Sequence, residues 1–350
     1  MTTLVCAILG FLIIFLPFLP SVIEVVRSSD SSALKITNHI LKDPRFSPEL
    51  LLWHFAHLVG SEDLMSLRNL AKVNEPTLLN NAILAVPAGK LGTLDRNISR
   101  VISVGALELD DRTNYMSKIV SLDSIKTGVQ NAINEVHAKE RLLLKARSKV
   151  MWWASGTDIL IEDRVALPGK VQAERSIEFH GRAQFHHLDA PLIQMLDSLP
   201  KNDTTEFFVQ TATRPIRHFF GKDLELSAGE NREGDFIVKG DLLLRENATI
   251  HGNVKCHKRV TLMKGARISG NLVSIGDLTC LGKNWIGGSI LGQKNISFSG
   301  PCHVGSENQR VTVSGNTIQI KPPFRSHGTI RAWRSGVIEE QVESGDLVSL

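Results

Sequence analysis

Two groups of histidines are the side chains of this 350-residue sequence that best fit a chemical role. His180, His186 and His187 are close enough in sequence to suggest metal ligands, although a pair such as His186 and His187 more often lies on a surface. The second group offers candidates, by residue type, for the catalytic histidine of an acyl transfer: His251, His257 and His303 in a periodic segment, and His327 after it.

A metal site made from the second group would require side chains that converge. The periodic segment predicts a coil of 18 residues, and none of the four histidines lies 18 residues from another. An acyltransferase of this architecture would also need a groove for its acyl donor, typically between subunits. We therefore predict no catalytic residue, no metal and no cofactor.

Two further kinds of catalytic site are disfavoured. Cleavage of a polysaccharide requires carboxylates or basic residues grouped on one face, whereas the periodic segment spreads Asp241, Glu246, Asp277 and Glu307 over separate coils. Residues 88–91 (AGKL) match only the end of a phosphate-binding loop, whose first glycine is missing. The sequence therefore favours a protein that is not an enzyme.

His251, His257 and His303 lie in a segment with a six-residue repeat, which runs from Leu242 to Glu307. Mostly apolar residues occupy its first and third positions, and glycine occupies the fifth position in six of the eleven repeats. Two inward residues spaced by two form a short strand, and the glycine after them forms a bend. Eleven consecutive repeats predict a parallel β-helix.

Three repeats close one three-sided coil, so residues 18 apart should stack in the core. Like residues recur at that spacing, as stacked identical coils require. The predicted core stacks are Ile250, Ile268, Ile286 and Val304, and Leu242, Val260, Leu278 and Ile296.

The repeat resembles the bactofilins, which are bacterial polymer-forming cytoskeletal proteins. The matching segments are 234–242 (GDFIVKGDL), 250–254 (IHGNV), 266–272 (ARISGNL) and 311–315 (VTVSG). The resemblance covers about residues 234–333, and it implies a right-handed β-helix that polymerises without nucleotide. It also implies a place at the bacterial inner membrane and a role in cell shape, motility or envelope organisation, with envelope or peptidoglycan-remodelling proteins as partners.

The N-terminus is predicted to be a membrane anchor over residues 1–27. The segment from Leu4 to Ile23 contains no charged residue, and it is long enough to cross a bilayer as a helix. The segment lacks the basic start and the Ala-x-Ala site of a cleaved signal peptide. The positive-inside rule places the bulk of the chain in the cytoplasm, because four basic residues follow the segment and none precedes it: Arg27, Lys35, Lys42 and Arg45.

The rest of the chain is divided by composition and pattern. Residues 28–150 are expected to form a mixed α/β region, with helices at 47–58 and 61–73 and a strand at 101–109. A first β-helix block is expected at 151–190, an inserted element at 191–235, the main β-helix at 236–336 and an acidic tail at 337–350.

Cysteines and charge limit the environment and the partners. The four cysteines form no CxxC pair and suit a reducing compartment: Cys6, Cys256, Cys280 and Cys302. Residues 236–336 contain 14 Lys/Arg and 4 Asp/Glu, a net charge of +10. Such a face fits a polyanion or an anionic membrane, although most basic faces serve solubility. No nucleic-acid partner is expected.

The ends of a solenoid decide whether it assembles, because end coils expose unpaired backbone groups. Phe324 and Trp333 lie in the predicted C-terminal lid, where they either anchor a second copy or cap the core. We expect a membrane-anchored scaffold that forms head-to-tail homopolymers. The alternatives are a hexapeptide-repeat acyltransferase and a non-polymerising β-helix that binds envelope polymer or anionic membrane.

Overall fold

The protein is a β-solenoid of about 13 turns. The computed structural model describes residues 76–80, 83–195 and 216–339. The predicted anchor at 1–27, the predicted helices at 47–58 and 61–73, and residues 340–350 of the acidic tail lie outside the described residues. Within the described ranges no helix has the length and apolar character needed to span a membrane.

The described strands fall into two blocks, separated by residues 196–215. Block 1 contains β1 (Thr77–Asn80), β2 (Ile83–Val86), β3 (Gly89–Leu91), β4 (Arg100–Ser103), β5 (Leu107–Leu109), β6 (Asn114–Ser121), β7 (Ile125–Lys126), β8 (Ala132–Ala138), β9 (Arg141–Leu144), β10 (Lys149–Ile161), β11 (Val165–Phe179) and β12 (Ala183–Met195). β1 pairs antiparallel with β2, and the later strands of this block stack in parallel.

Block 2 repeats the architecture with shorter strands. It contains β13 (Arg217–Phe220), β14 (Leu224–Leu226), β15 (Asn231–Glu233), β16 (Asp235–Val238), β17 (Leu242–Leu244), β18 (Thr249–His251), β19 (Val254–Cys256), β20 (Val260–Leu262), β21 (Arg267–Ile268), β22 (Leu272–Ser274), β23 (Leu278–Cys280), β24 (Asn284–Ile286), β25 (Ile290–Gly292), β26 (Asn295–Phe298), β27 (Cys302–Val304), β28 (Val311–Ile320) and β29 (Phe324–Ile338). Each strand from β13 to β24 pairs in parallel with the strand three further on, so three strands make one turn.

The core of block 2 follows the six-residue repeat. Ile250 pairs in register with Ile268, which pairs with Ile286, and each of these side chains is fully buried. Leu242, Val260, Leu278 and Ile296 form a second in-register stack. The prediction of a β-solenoid is therefore confirmed, and an 18-residue turn spaces its inward residues.

The corners of block 2 are held by ladders of side-chain amides. Asn253 donates from its side chain to Asp235 Oδ1 at 2.9 Å, and Asn271 donates to Asn253 Oδ1 at 3.0 Å. Asn271 Oδ1 in turn accepts the backbone N–H of Ser289 at 2.8 Å. Beside this ladder a Cβ at residue 252 would lie 2.1 Å from the carbonyl oxygen of Gly234, so only glycine fits there.

The solenoid begins earlier in the chain than the sequence predicted. Residues 83–150 form coils of block 1, and no helix occurs in the described part of the region expected to be mixed α/β. The predicted start at residue 151 is therefore corrected to Ile83. Successive inward residues of block 1 lie 17 or 18 apart, as from Val101 to Ile119 to Val136, and this uneven spacing hides the repeat.

The predicted insertion at 191–235 is also too long. β12 continues to Met195, and block 2 begins with β13 at Arg217 rather than at residue 236. Likewise, β29 extends to Ile338, beyond the predicted limit of 336. Only residues 196–215 lie outside the described residues in this stretch.

The last coils of the two blocks pair with each other. β12 is antiparallel to β29 along its whole length, with Ala183 opposite Ile338, Leu188 opposite Ile330 and Met195 opposite Phe324. These three pairs lie on three different sides of the coil, so the contact extends around the whole coil. The two blocks therefore meet through their C-terminal ends, and we call this contact the junction.

Candidate functional site: the junction and the open end

The junction encloses one of the two aromatic residues predicted at a polymer end. Phe324 is 1% exposed, its ring centroid is 4.8 Å from that of Phe298, and it pairs with the buried Met195 of block 1. Its predicted role as an exposed anchor is therefore corrected. The partner that covers the C-terminal coil is β12 of the same chain, which no short-range repeat could reveal.

Trp333 lies at the level of the junction but on an outer corner. It is 62% exposed, its indole N–H donates to Ser314 Oγ at 3.1 Å, and the Arg331 guanidinium lies 3.8 Å from its ring centroid. The side chain is thus held in place while one face remains open. It does not lie at an end of the solenoid.

Two histidines converge at the junction, contrary to the sequence prediction. The rings of His303 and His327 stack with centroids 5.5 Å apart. The loop 305–310 inserts extra residues, so Cys302 pairs with Phe324 at a separation of 22 rather than 18. This shift brings His327 beside His303.

The junction histidines are held in surroundings that disfavour their charged form. Burial lowers the pKa of His303 to about 4, and the charges of His327 and Arg325 contribute in the same direction. Burial likewise lowers the pKa of His187 to about 4, with a further contribution from the charge of Lys170. Burial also lowers the pKa of His327, whose Nδ1 lies 3.1 Å from the carbonyl oxygen of Pro191. The junction therefore prefers neutral imidazoles.

The opposite end of block 2, formed by β13, β14 and β15, is the open end. Each of these strands pairs with one other strand among the described residues. Two large apolar side chains are exposed there. Phe219 on β13 is 61% exposed, and Ile216, which directly precedes β13, is 72% exposed. Lys239 Nζ lies 5.3 Å from the centroid of the Phe219 ring. The open end therefore combines a strand edge with exposed apolar surface.

The third side of the open end is polar. Arg232 takes the position that Ile250 and Ile268 occupy in the next coils, and its Nε donates to Glu230 at 2.6 Å. A polar residue at this inward position caps the core on that side. The apolar part of the open end is therefore restricted to the sides formed by β13 and β14.

Block 1 contains a buried serine and a buried histidine in contact with a half-buried glutamate. Ser155 Oγ lies 2.8 Å from His137 Nδ1, and Glu135 Oε2 lies 3.6 Å from His137 Nε2 and 2.8 Å from Lys118 Nζ. Burial lowers the pKa of His137, and contacts with His137 and Lys118 lower that of Glu135 to about 2. His137 is 2% exposed and Ser155 5%, so the described geometry leaves a substrate no access.

The remaining histidines are scattered. His251 borders a polar cavity of about 280 Å³ near the open end, which is also lined by Gly229, Asn231, Asn247, Thr249 and Arg267. His257 is exposed on a corner. His180 lies 3.8 Å from Glu178, and the described residues contain no group of three or more His, Cys, Asp or Glu arranged to hold a metal.

Cys256, Cys280 and Cys302 are buried free thiols at core positions of block 2. They act as small apolar side chains there.

No protein-family model, no curated protein and no solved structure matches this chain. Its geometry alone defines the molecule as a β-solenoid of two blocks that are joined through their C-terminal coils.

Proposed function

We propose that this protein is a self-assembling structural scaffold of the bactofilin type, which polymerises without nucleotide and is held at a membrane by its N-terminal segment. The observation that carries the proposal is the open end, where Ile216 and Phe219 are exposed beside a strand with one described partner. Such an edge is a template for pairing with another chain.

The junction supports this proposal by showing that coils of this chain can pair end to end. There, β12 and β29 join three sides of a coil in antiparallel register and bury Phe324. The same kind of contact between two copies would cover β13 and β14. Because the C-terminal coil is already used within the chain, the proposed contact moves from Phe324 to the open end.

Growth beyond a pair of copies requires a second contact. β1 and β3 at the start of block 1 each have one strand partner among the described residues, and Leu78 on β1 is 53% exposed. A head-to-tail polymer would join this end of one copy to the open end of the next. A symmetric contact between two open ends would instead give a closed pair.

Electron microscopy of the full-length protein without nucleotide or metal tests the proposal. We expect filaments from the wild-type chain, and loss of filaments when Ile216→Glu and Phe219→Glu are combined. Leu281→Glu, on an exposed residue at another corner, is the matched control and should leave filaments intact. Discrete monomers from the wild-type chain at all concentrations would overturn the proposal.

A further inference from the structure

One edge of the solenoid runs through both blocks without interruption. In block 1 it comprises the corner positions 116–117, 134, 151–152, 168–169 and 186, as the strand registers fix. Across the junction it continues through 332–335, 316, 293–294, 275–277, 257–259, 239–241 and 221–223. Twelve levels at the usual strand spacing give this long edge a length on the order of 50 Å.

Exposed apolar side chains cluster on the block 1 half of the long edge and at the junction. In block 1, Met116 is 73% exposed, Met151 40% and Trp152 67%, and Trp333 of β29 is 62% exposed at the junction. Only eight large hydrophobic residues are exposed in the described part of the chain, so half of them lie on this one edge. Surface hydrophobics that cluster in this way mark an interaction site, whereas scattered ones do not.

The block 2 half of the long edge is basic. Its exposed cations, together with the junction residue Arg334, are Lys222, Lys239, Lys258, Arg259 and Lys294. Three carboxylates share the edge, which leaves a net charge of 6 − 3 = +3. Each of these carboxylates accepts a backbone N–H from the next coil, so it is engaged in holding the corner: Asp223, Asp241 and Asp277.

Shape and chemistry select the partner of the long edge. A corner of a solenoid is convex, and small molecules bind in concave sites. Tryptophan favours the boundary between water and lipid, because one part of its ring system is apolar and the indole N–H is polar. Lysine and arginine near such a boundary are attracted to anionic headgroups. Trp333 has this amphipathic arrangement, since its N–H is engaged with Ser314 while its ring is exposed.

We propose that the long edge is a membrane-contact surface, on which Trp152 and Trp333 enter the headgroup region and the lysines of block 2 bind anionic lipid. The solenoid would then lie along the bilayer rather than stand away from it. This inference goes beyond the proposed function, because it requires no contact between copies of the chain.

Site-specific photocrosslinking of the full-length protein tests this surface independently of the predicted anchor. Benzoylphenylalanine replaces Trp152 or Trp333, and in the control it replaces Leu281, which is 42% exposed on a different corner. The protein is incorporated into vesicles of phosphatidylcholine and phosphatidylglycerol. We expect lipid adducts at the two edge positions about fivefold above those at residue 281, with a decrease at high salt.

Charge reversal separates electrostatic binding of anionic lipid from chance proximity of the edge to the vesicle. With the probe at Trp333, Lys258→Glu combined with Lys294→Glu should lower the yield of lipid adducts about threefold, whereas Lys264→Glu at another corner should not. Equal adducts at all three probe positions would overturn the proposal. So would edge adducts to a second copy, which would identify an interface between chains. Filament formation by the charge-reversed protein, observed separately, reports on the proposed function alone.

Discussion

The two blocks build the same three-sided coil with different sequence devices. The strands of block 2 from β13 to β27 contain two to four residues and are separated by glycine and Asn/Asp corners. In block 1, β10, β11 and β12 contain 13 to 15 residues and pass through the corners with shifts of register. Sharp corners impose an even repeat on the sequence, whereas strands that bend through a corner do not.

Block 2 changes to the block 1 pattern just before the junction. β28 contains 10 residues and β29 contains 15, which is close to the 13 residues of β12. Two long strands of similar length offer continuous edges to one another. This similarity allows β12 and β29 to pair on three sides of the coil, so the two blocks are predicted to unfold together.

The largest expected effect tests that coupling at Phe324. Phe324→Ala should lower the free energy of unfolding by about 3–5 kcal/mol, because it leaves a cavity between the blocks. In a background with Trp53, Trp285 and Trp333 changed to Phe, the fluorescence of Trp152 and Trp153 reports on block 1 in urea. In a background with Cys6, Cys256 and Cys302 changed to Ala, labelling of Cys280 reports on block 2. Both midpoints should fall together, and a shift confined to block 2 would show that the blocks are independent. Leu281→Ala is the control and should change stability by less than about 0.5 kcal/mol.

Acidification should weaken the junction more than the rest of block 2. His187 and His303 have folded-state pKa values of about 4, below the ordinary value of 6.5, so the unfolded chain binds protons first as the pH falls. The stability that these two histidines contribute is therefore fully present above about pH 6.5. It is lost as the pH falls from 6.5 to 4, by at most about 1.4 kcal/mol per pH unit for each histidine.

Thermal unfolding measured across this range checks the prediction. His303→Gln should flatten the decline, because one titrating group is removed, whereas His257→Gln on an exposed corner should leave it unchanged. The charged groups that face the junction histidines are Lys170, Asp189, Arg325, Arg331 and Glu307. A stability that does not change between pH 6.5 and 4 would contradict the prediction.

Much of block 2 could be predicted from the sequence, because its core stacks and corners repeat within 18 residues. The start of block 1 could not, since the spacing from Val101 to Ile119 to Val136 alternates between 18 and 17. The junction could not be predicted either, because it pairs residues about 140 apart, such as Asp189 and Thr329. No periodicity relates those segments.

The smallest expected effect compares the corners themselves. Asn271→Ala removes the acceptor of the Ser289 N–H and the donor to Asn253, and should cost about 1–3 kcal/mol. In block 1, Thr127 Oγ1 accepts the Lys145 N–H at 2.9 Å, and Thr127→Val should cost about 1 kcal/mol. Urea titration measures both. A larger loss from the threonine change would show that side-chain ladders matter no more to block 2 than to block 1.

The most direct test of the joined blocks is a disulfide across the junction. Gln184 and Val337 are opposite each other in the pairing of β12 with β29, and neither side chain is buried. The full-length protein with Gln184→Cys and Val337→Cys should form an intramolecular disulfide under mild oxidation, which gel mobility and peptide mapping would detect. Gln184→Cys with Glu225→Cys at the open end should form none. Absence of the first disulfide, or its formation only between two chains, would contradict the joining of the two blocks within one molecule.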